Sequence, residues 1–226
     1  MKKAKSILFI AYYYPPNGTV AFLRNYHIAK YLKPYFKKIN IITLKNIPLP
    51  LKDDIEINEE QIHRVANFDY RNIGKIISHK KDLRKKANEF TNKKRVKITR
   101  FFLDSFPFNI LIGEGGLIYI IAATLKGIYL IKSEKVTHIF SSFRPIADHI
   151  VAYNLKLLFP DLIWVADFRD PPVTGKIKFP LISGLQTKLI KKILSKSNIV
   201  LSVSDGVKNS LKKYVENSIT FHNGIY

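Results

Sequence analysis

The sequence predicts an α/β fold, a Rossmann-like, doubly wound and mostly parallel sheet with helices on both faces. Three observations predict it. Short β-branched runs alternate with amphipathic segments of helical length along the 226 residues. Most of the intervening segments exceed ten residues, which suits crossover helices between parallel strands rather than hairpins. A hydrophobic content of 46% supplies a core for one large domain. No internal repeat or low-complexity tract divides the chain, so one domain over 1–226 is expected.

The elements follow in order. Residues 6–13 open with Ile7-Leu8-Phe9-Ile10 and read as a strand, 20–35 as a helix, and 39–44 as a second strand. Pro48 and Pro50 mark 45–54 as a loop. A short third strand is expected at 62–68, then one or two basic helices over 71–96, an irregular aromatic stretch over 101–114 and a long apolar helix over 115–131. Residues 137–141 read as a strand and 146–158 as a helix, with Ile150, Val151, Leu155 and Leu158 near helical spacing. A strand at 163–166 precedes a helix at 181–195, whose Leu185, Leu189, Ile193 and Leu194 lie opposite Lys188, Lys191 and Lys192. Another strand is expected at 199–203. Ser204 is placed to cap a helix ending near 214, and 219–221 form a last short strand.

Charge and composition narrow the function classes. The chain has no cysteine, which excludes disulfides and thiolate metal sites. Its formal net charge of +21 favours phosphate-rich partners. Residues 71–100 alone hold 12 Lys and Arg against 2 Asp and Glu. Such a run is either a solvated helix face or a contact with an anionic membrane or polyanion. Met1-Lys2-Lys3 precedes an apolar run too short for a signal peptide, without a small-residue cleavage site. Residues 117–125 are mostly apolar, but Glu114 and Lys126 bracket them well inside the roughly 20 residues that a spanning helix needs, so a buried or interfacial helix is expected.

The chemistry-bearing residues collect at predicted strand ends. Leu162-Ile163-Trp164-Val165-Ala166 runs directly into Asp167-Phe168-Arg169-Asp170-Pro171-Pro172. Open α/β sheets bind ligands beyond the carboxyl ends of their strands, so this loop is either a site wall or a structural ion pair. Ser141-Ser142-Phe143-Arg144-Pro145 should open on the same edge and leads into a helix carrying Asp148 and His149. His149 is either an exposed helix residue or a general acid, base or substrate ligand. Asn17, Gly18 and Thr19 occupy the first βα turn, which is either an ordinary turn with Gly18 supplying an awkward dihedral or one whose backbone N–H groups and helix dipole hold an anion. The six histidines show no metal-ligand spacing. The glycine fingerprints of dinucleotide and P-loop sites are absent, as is a nucleophile elbow. No metal and no cofactor are therefore expected.

Several segments, in one order, resemble a known family. They are Ile7-Leu8-Phe9-Ile10 with Tyr14-Pro15-Pro16, Ser141-Ser142 through Pro145 and His149, Ala166 to Pro171, Val203-Ser204, and His222-Asn223-Gly224. Together they resemble the N-terminal domain of glycosyltransferase family 4, retaining enzymes of the two-domain GT-B architecture. The match covers nearly the whole chain, although 45–135 agree only in general pattern. The resemblance implies an acceptor-binding domain and a second, nucleotide-sugar domain carrying an E-x₇-E motif. No glutamate pair at that spacing occurs here, so the donor-binding domain is expected to be absent. Two departures stand out: Gly18 has no glycine neighbour, and Ser142-Phe143 stands where many members place a histidine.

From the resemblance, catalytic roles fall on His149, Asp167, Arg169 and Asp170, and substrate binding on Asn17, Gly18, Thr19, Ser142, Arg144 and Ser204. The implied function is the acceptor half of a bacterial transferase in cell-surface polysaccharide synthesis, inactive without a donor domain. The implied partners are a nucleotide-sugar, a glycan or lipid-linked acceptor, and a separate donor-domain subunit. Residues 71–131 are expected to meet an anionic membrane from the cytoplasmic side. A non-catalytic module binding a membrane or phosphoglycan is the alternative. Nucleic-acid binding has only the charge and a few aromatics in its favour.

Overall fold

The computed structural model describes residues 5–15, 21–45, 61–68, 107–113, 115–172 and 180–223. The sequence expectations for 45–54 (apart from Lys45), 71–96 and 101–106, and for Asn17, Gly18 and Thr19, lie outside them. Among the described residues, seven strands form one sheet: β1 (Ser6–Ile10), β2 (Lys38–Leu44), β3 (Ile62–Val65), β4 (Val136–Phe143), β5 (Ile163–Phe168), β6 (Ile199–Ser202) and β7 (Ile219–Thr220). Their order is β3-β2-β1-β4-β5-β6-β7, and every pair is parallel. The predicted doubly wound parallel sheet is the architecture observed.

The helices among the described residues are α1 (Ala21–Leu32), α2 (Phe108–Leu111), α3 (Leu117–Glu134), α4 (Ile146–Leu158), α5 (Pro180–Leu194) and α6 (Asp205–Leu211). Alternation along the strands separates two cores. Leu8, Ile10, Ile42, Ile139, Trp164 and Val200 face one side, where buried residues of α3, α4, α5 and α6 cover them. Phe9, Ile41 and Phe140 face the other, where Ala29, Ile28 and Leu32 of α1 pack. The Phe9 and Phe140 rings meet there at 4.7 Å. With both faces covered, every residue of β1 is buried, which explains the unbroken apolar run from Ile7 to Ile10.

The helical layer is tightest between α3 and α4. Gly127 of α3 faces Leu155 of α4, and a Cβ at 127 would stand 2.6 Å from Leu155 Cδ1. Just before α3, Gly115 adopts φ +64, and a Cβ there would stand 2.6 Å from Ala147 Cβ. Both glycines let main chain approach where a side chain would intrude.

Strand ends differ from expectation at the edge that matters. β1 stops at Ile10 rather than 13, the chain bending through Tyr12 and Tyr13, while Ala11 N–H still donates to Ile42 O. β4 and β5 each run two residues further, keeping Ser142 beside Asp167 and Phe143 beside Phe168 in the ladder. Asp167, expected in a loop, is therefore a strand residue.

Candidate functional site

The sheet order reverses between β1 and β4, and β5 adjoins β4, so the loops after all three strands share one carboxyl edge. The loop after β4 and the loop after β5 meet there, as the sequence predicts. Arg169 joins them: its Nε donates to Phe143 O at 3.0 Å and its Nη2 to Arg144 O at 3.0 Å. Burial pulls the Arg169 pKa down from its ordinary value, while the nearby carboxylates of Asp167 and Asp170 act in the opposite sense. Both the Phe143–Arg144 and Arg144–Pro145 peptide bonds are cis. Arg144 and Asp170 are exposed at the mouth of this edge.

Asp167 is fully buried, and its partner is not the neighbouring Arg169 but Arg24 of α1. Arg24 Nε donates to Asp167 Oδ2 at 3.0 Å and Nη2 donates to Oδ1 at 2.8 Å. This two-pronged geometry is the strongest that a guanidinium and a carboxylate can adopt. Arg24 also donates through Nη1 to Asn223 Oδ1 at 2.8 Å and through Nη2 to Phe221 O at 2.9 Å. Its Cζ stands 5.1 Å from the centre of the Phe221 ring. One side chain thus fastens α1, the end of β5 and the segment after β7 together.

His149 and Asp148 sit behind this edge, inside the protein. Trp164 Nε1 donates to Ser141 Oγ at 2.8 Å, and Ser141 Oγ lies 2.7 Å from His149 Nδ1. The His149 ring packs on Phe168 at 4.7 Å and stacks on Phe143 at 6.1 Å. Burial lowers its pKa to about 3, so the imidazole is neutral at ordinary pH. His149 is therefore neither the exposed helix residue nor a protonated acid waiting in the cleft. Asp148 accepts from the Tyr12 N–H at 2.9 Å and from the Tyr119 hydroxyl at 2.7 Å, pinning the bend after β1 to α3 and α4. Burial and the Asp148 carboxylate push the Tyr119 pKa well above its ordinary value.

The substrate-binding candidates fall into different places. Ser142 is buried on the same sheet face as Asp167, and its Oγ has no hydrogen-bond partner among the described residues. Ser204 Oγ accepts from Val207 N–H at 3.3 Å, which is the predicted cap of α6. Arg24, Tyr119 and Asn223 were not singled out from the sequence as members of this edge. A signal for Arg24 existed: it stands four and eight residues before Ile28 and Leu32, so a cation occupies the buried stripe of α1. Among the described residues, no group of three His, Cys, Asp or Glu side chains is placed to hold a metal ion.

Chemically, this edge offers exposed Arg144 and Asp170 on a frame held rigid by Arg169 and the Arg24–Asp167 pair. It can orient a polar ligand carrying hydroxyls and negative charge. No family model matches the chain, and no curated protein is similar to it in sequence. The fold is like part of sucrose-phosphate synthase from Thermosynechococcus elongatus, with TM-score 0.51 and 12% identity over 96% of this chain and 47% of that one. A glycosyltransferase from Rickettsia africae aligns with 98% of this chain and 43% of its own, at 17% identity and TM-score 0.49. The chain thus spans about half the length of the solved structures it matches. The likeness is one of fold: this chain has the α/β architecture of one half of the synthase chain.

Proposed function

We propose that this domain is the acceptor-binding half of a retaining glycosyltransferase of GT-B architecture, acting in bacterial cell-surface polysaccharide synthesis on the cytoplasmic side. The observation that carries the reading is the joined carboxyl edge of β4 and β5, where Arg169 binds both loops and leaves Arg144 and Asp170 facing outward. The half-chain likeness to a sucrose-phosphate synthase supports it at the level of fold.

In this reading the edge holds a glycan or lipid-linked acceptor while a donor-binding domain, on the same polypeptide or on a separate subunit, brings the nucleotide-sugar. Transfer breaks the bond from the anomeric carbon to the diphosphate, forms one to an acceptor hydroxyl oxygen, and releases that hydroxyl's proton. Negative charge grows on the leaving diphosphate, and preorganised donors stabilise it. Asn17, Gly18 and Thr19, which lie between β1 and α1 in the sequence, are the proposed contacts for those phosphates. Arg144 and Asp170 touch the acceptor, with Ser142 behind them. Asp167 and His149 keep the two loops in place, and Ser204 acts through the cap of α6. No metal and no cofactor take part.

The test is turnover of uridine- and guanosine-diphosphate sugars by the purified chain, with and without candidate donor-domain subunits. Activity is expected only with the second subunit. There, Arg144→Ala and Asp170→Asn should raise the acceptor KM about tenfold or more, the weight of one charge-assisted contact, and leave the donor KM unchanged. Sugar transfer by the chain alone would refute the half-enzyme reading. Acceptor binding that never supports transfer would favour a non-catalytic glycan-binding module.

A further inference from the structure

The solvent side of α3 is apolar over more than three turns. Ile118, Ile121, Leu125 and Tyr129 recur at helical spacing and are each half exposed or more, Leu125 at 62%. At the first turn the stripe broadens, because the ends of β3 and α2 come alongside. A Cβ on Gly116 would meet Leu111 O at 2.8 Å and Phe68 O at 3.0 Å, and the Leu111 and Phe68 side chains are exposed as well. An exposed apolar stripe of this kind marks a binding face rather than scattered surface residues.

The charge around the stripe selects the occupant. Lys126 stands over the Tyr129 ring at 4.8 Å, and exposed Lys132 continues the stripe one turn on. The only acid within α3, Glu134, is already paired with Lys38 at 2.8 Å. Among the described residues no acid is paired with Lys126 or Lys132, so the face is an apolar strip with cations beside it. A second copy would bring the same cations and another +21 chain against it, which is electrostatically unfavourable. An anionic bilayer meets both requirements, since the apolar side chains enter the acyl boundary while the lysines reach lipid phosphates. No described helix is long and apolar enough to cross a membrane, so the contact is one of lying on the surface.

We infer that the Ile118, Ile121, Leu125 and Tyr129 face of α3, widened by Phe68 and Leu111, docks this protein on an anionic lipid bilayer. The wide end of the stripe is at the sheet edge that carries the candidate site. Tyr119, one residue after Ile118, reaches Asp148 at the start of α4, directly behind the loop after β4. Docking therefore brings that edge close to the lipid headgroups. On the proposed function, on which this consequence alone rests, the acceptor is one whose lipid anchor stays in the membrane.

The experiment is co-sedimentation of the full chain with vesicles of phosphatidylcholine alone and of phosphatidylcholine mixed with phosphatidylglycerol. It compares wild type with Ile121→Asp/Leu125→Asp and with Lys126→Gln/Lys132→Gln. Both aspartate sites are exposed, and matching thermal melts establish that the variant is folded. Binding to the mixed vesicles is expected, weakened by salt. The aspartate pair should reduce the partition coefficient about tenfold or more, and the glutamine pair should reduce it less. Three results overturn the inference: no binding to mixed vesicles at low salt, binding undiminished in the aspartate pair, or self-association abolished by that pair without any vesicle binding. The vesicles carry no sugar acceptor, so failure here strikes the docking face and leaves the transfer reading to its own assay.

Discussion

Arg24 illustrates how much one buried cation can decide. Only 5% exposed and forked onto a fully buried carboxylate, it cannot be shortened without leaving Asp167 charged and unpaired in the interior. Arg24→Ala should therefore cost about 3–5 kcal/mol, the usual penalty for breaking a buried pair. Arg24→Met combined with Asp167→Leu should recover most of that loss, because no charge is then stranded. Urea denaturation of the two single variants and the double variant measures this, and additive losses would show that the pair is not the cause. His149 gives a second test. Its folded pKa of about 3 lies below the ordinary value of 6.5, so as pH falls the unfolded chain takes up the proton first. Stability is thus intact above pH 6.5 and drains between there and about 3, by up to about 1.4 kcal/mol per pH unit. Between pH 7 and 5, His149→Phe should lose about 2 kcal/mol less than wild type; equal losses in paired melts would contradict the burial argument.

At the scale of the elements, the two close glycines differ in what a methyl group would meet. At Gly115 it would strike Ala147 Cβ, fixed to the backbone, and φ +64 is itself costly for any side chain. At Gly127 it would strike the methyl end of Leu155, which can rotate, and alanine favours a helix interior over glycine by about 1 kcal/mol. Chemical denaturation should show Gly115→Ala losing about 2 kcal/mol or more and Gly127→Ala clearly less; the reverse order would contradict this account of the α3–α4 packing. The elements themselves were readable because a strand covered on both faces is mostly apolar, as from Ile7 to Ile10 in β1, and because a buried helix stripe repeats, as in α4. Their ends were less readable. Asp167 looks like a strand terminator, since an ionised carboxylate cannot enter a core alone. What admits it is Arg24, separated from it by 143 positions, and no local pattern contains that information. The same limit applies to His149: its place in the first turn of α4 is visible in the sequence, but the aromatic enclosure by Phe143, Trp164 and Phe168 comes from two strands that only the fold brings together.

For the molecule as a whole, the sequence located the edge of the candidate site better than the roles of the residues on it. Asp167 and Ser142 proved to be buried on one face of the sheet and His149 on the other, leaving Arg144 and Asp170 outermost. The apolar character of α3 was also legible, but not which of its residues face water, because Tyr119, Ile120 and Ala123 are as apolar as Ile118 and Ile121. The fastening at Arg24 bears on how the chain reaches this state. Arg24 leaves the ribosome well before Asp167, and Asn223 follows 199 positions after Arg24. At ordinary synthesis speeds of roughly 5–20 residues per second, the guanidinium waits about 7–30 s for its carboxylate. During that interval its hydration opposes burial, so α1 cannot settle fully on its side of the growing sheet. The first helix to be made is thus among the last to be locked, and the Phe9 side of the sheet is the surface for which a nascent chain most needs protection.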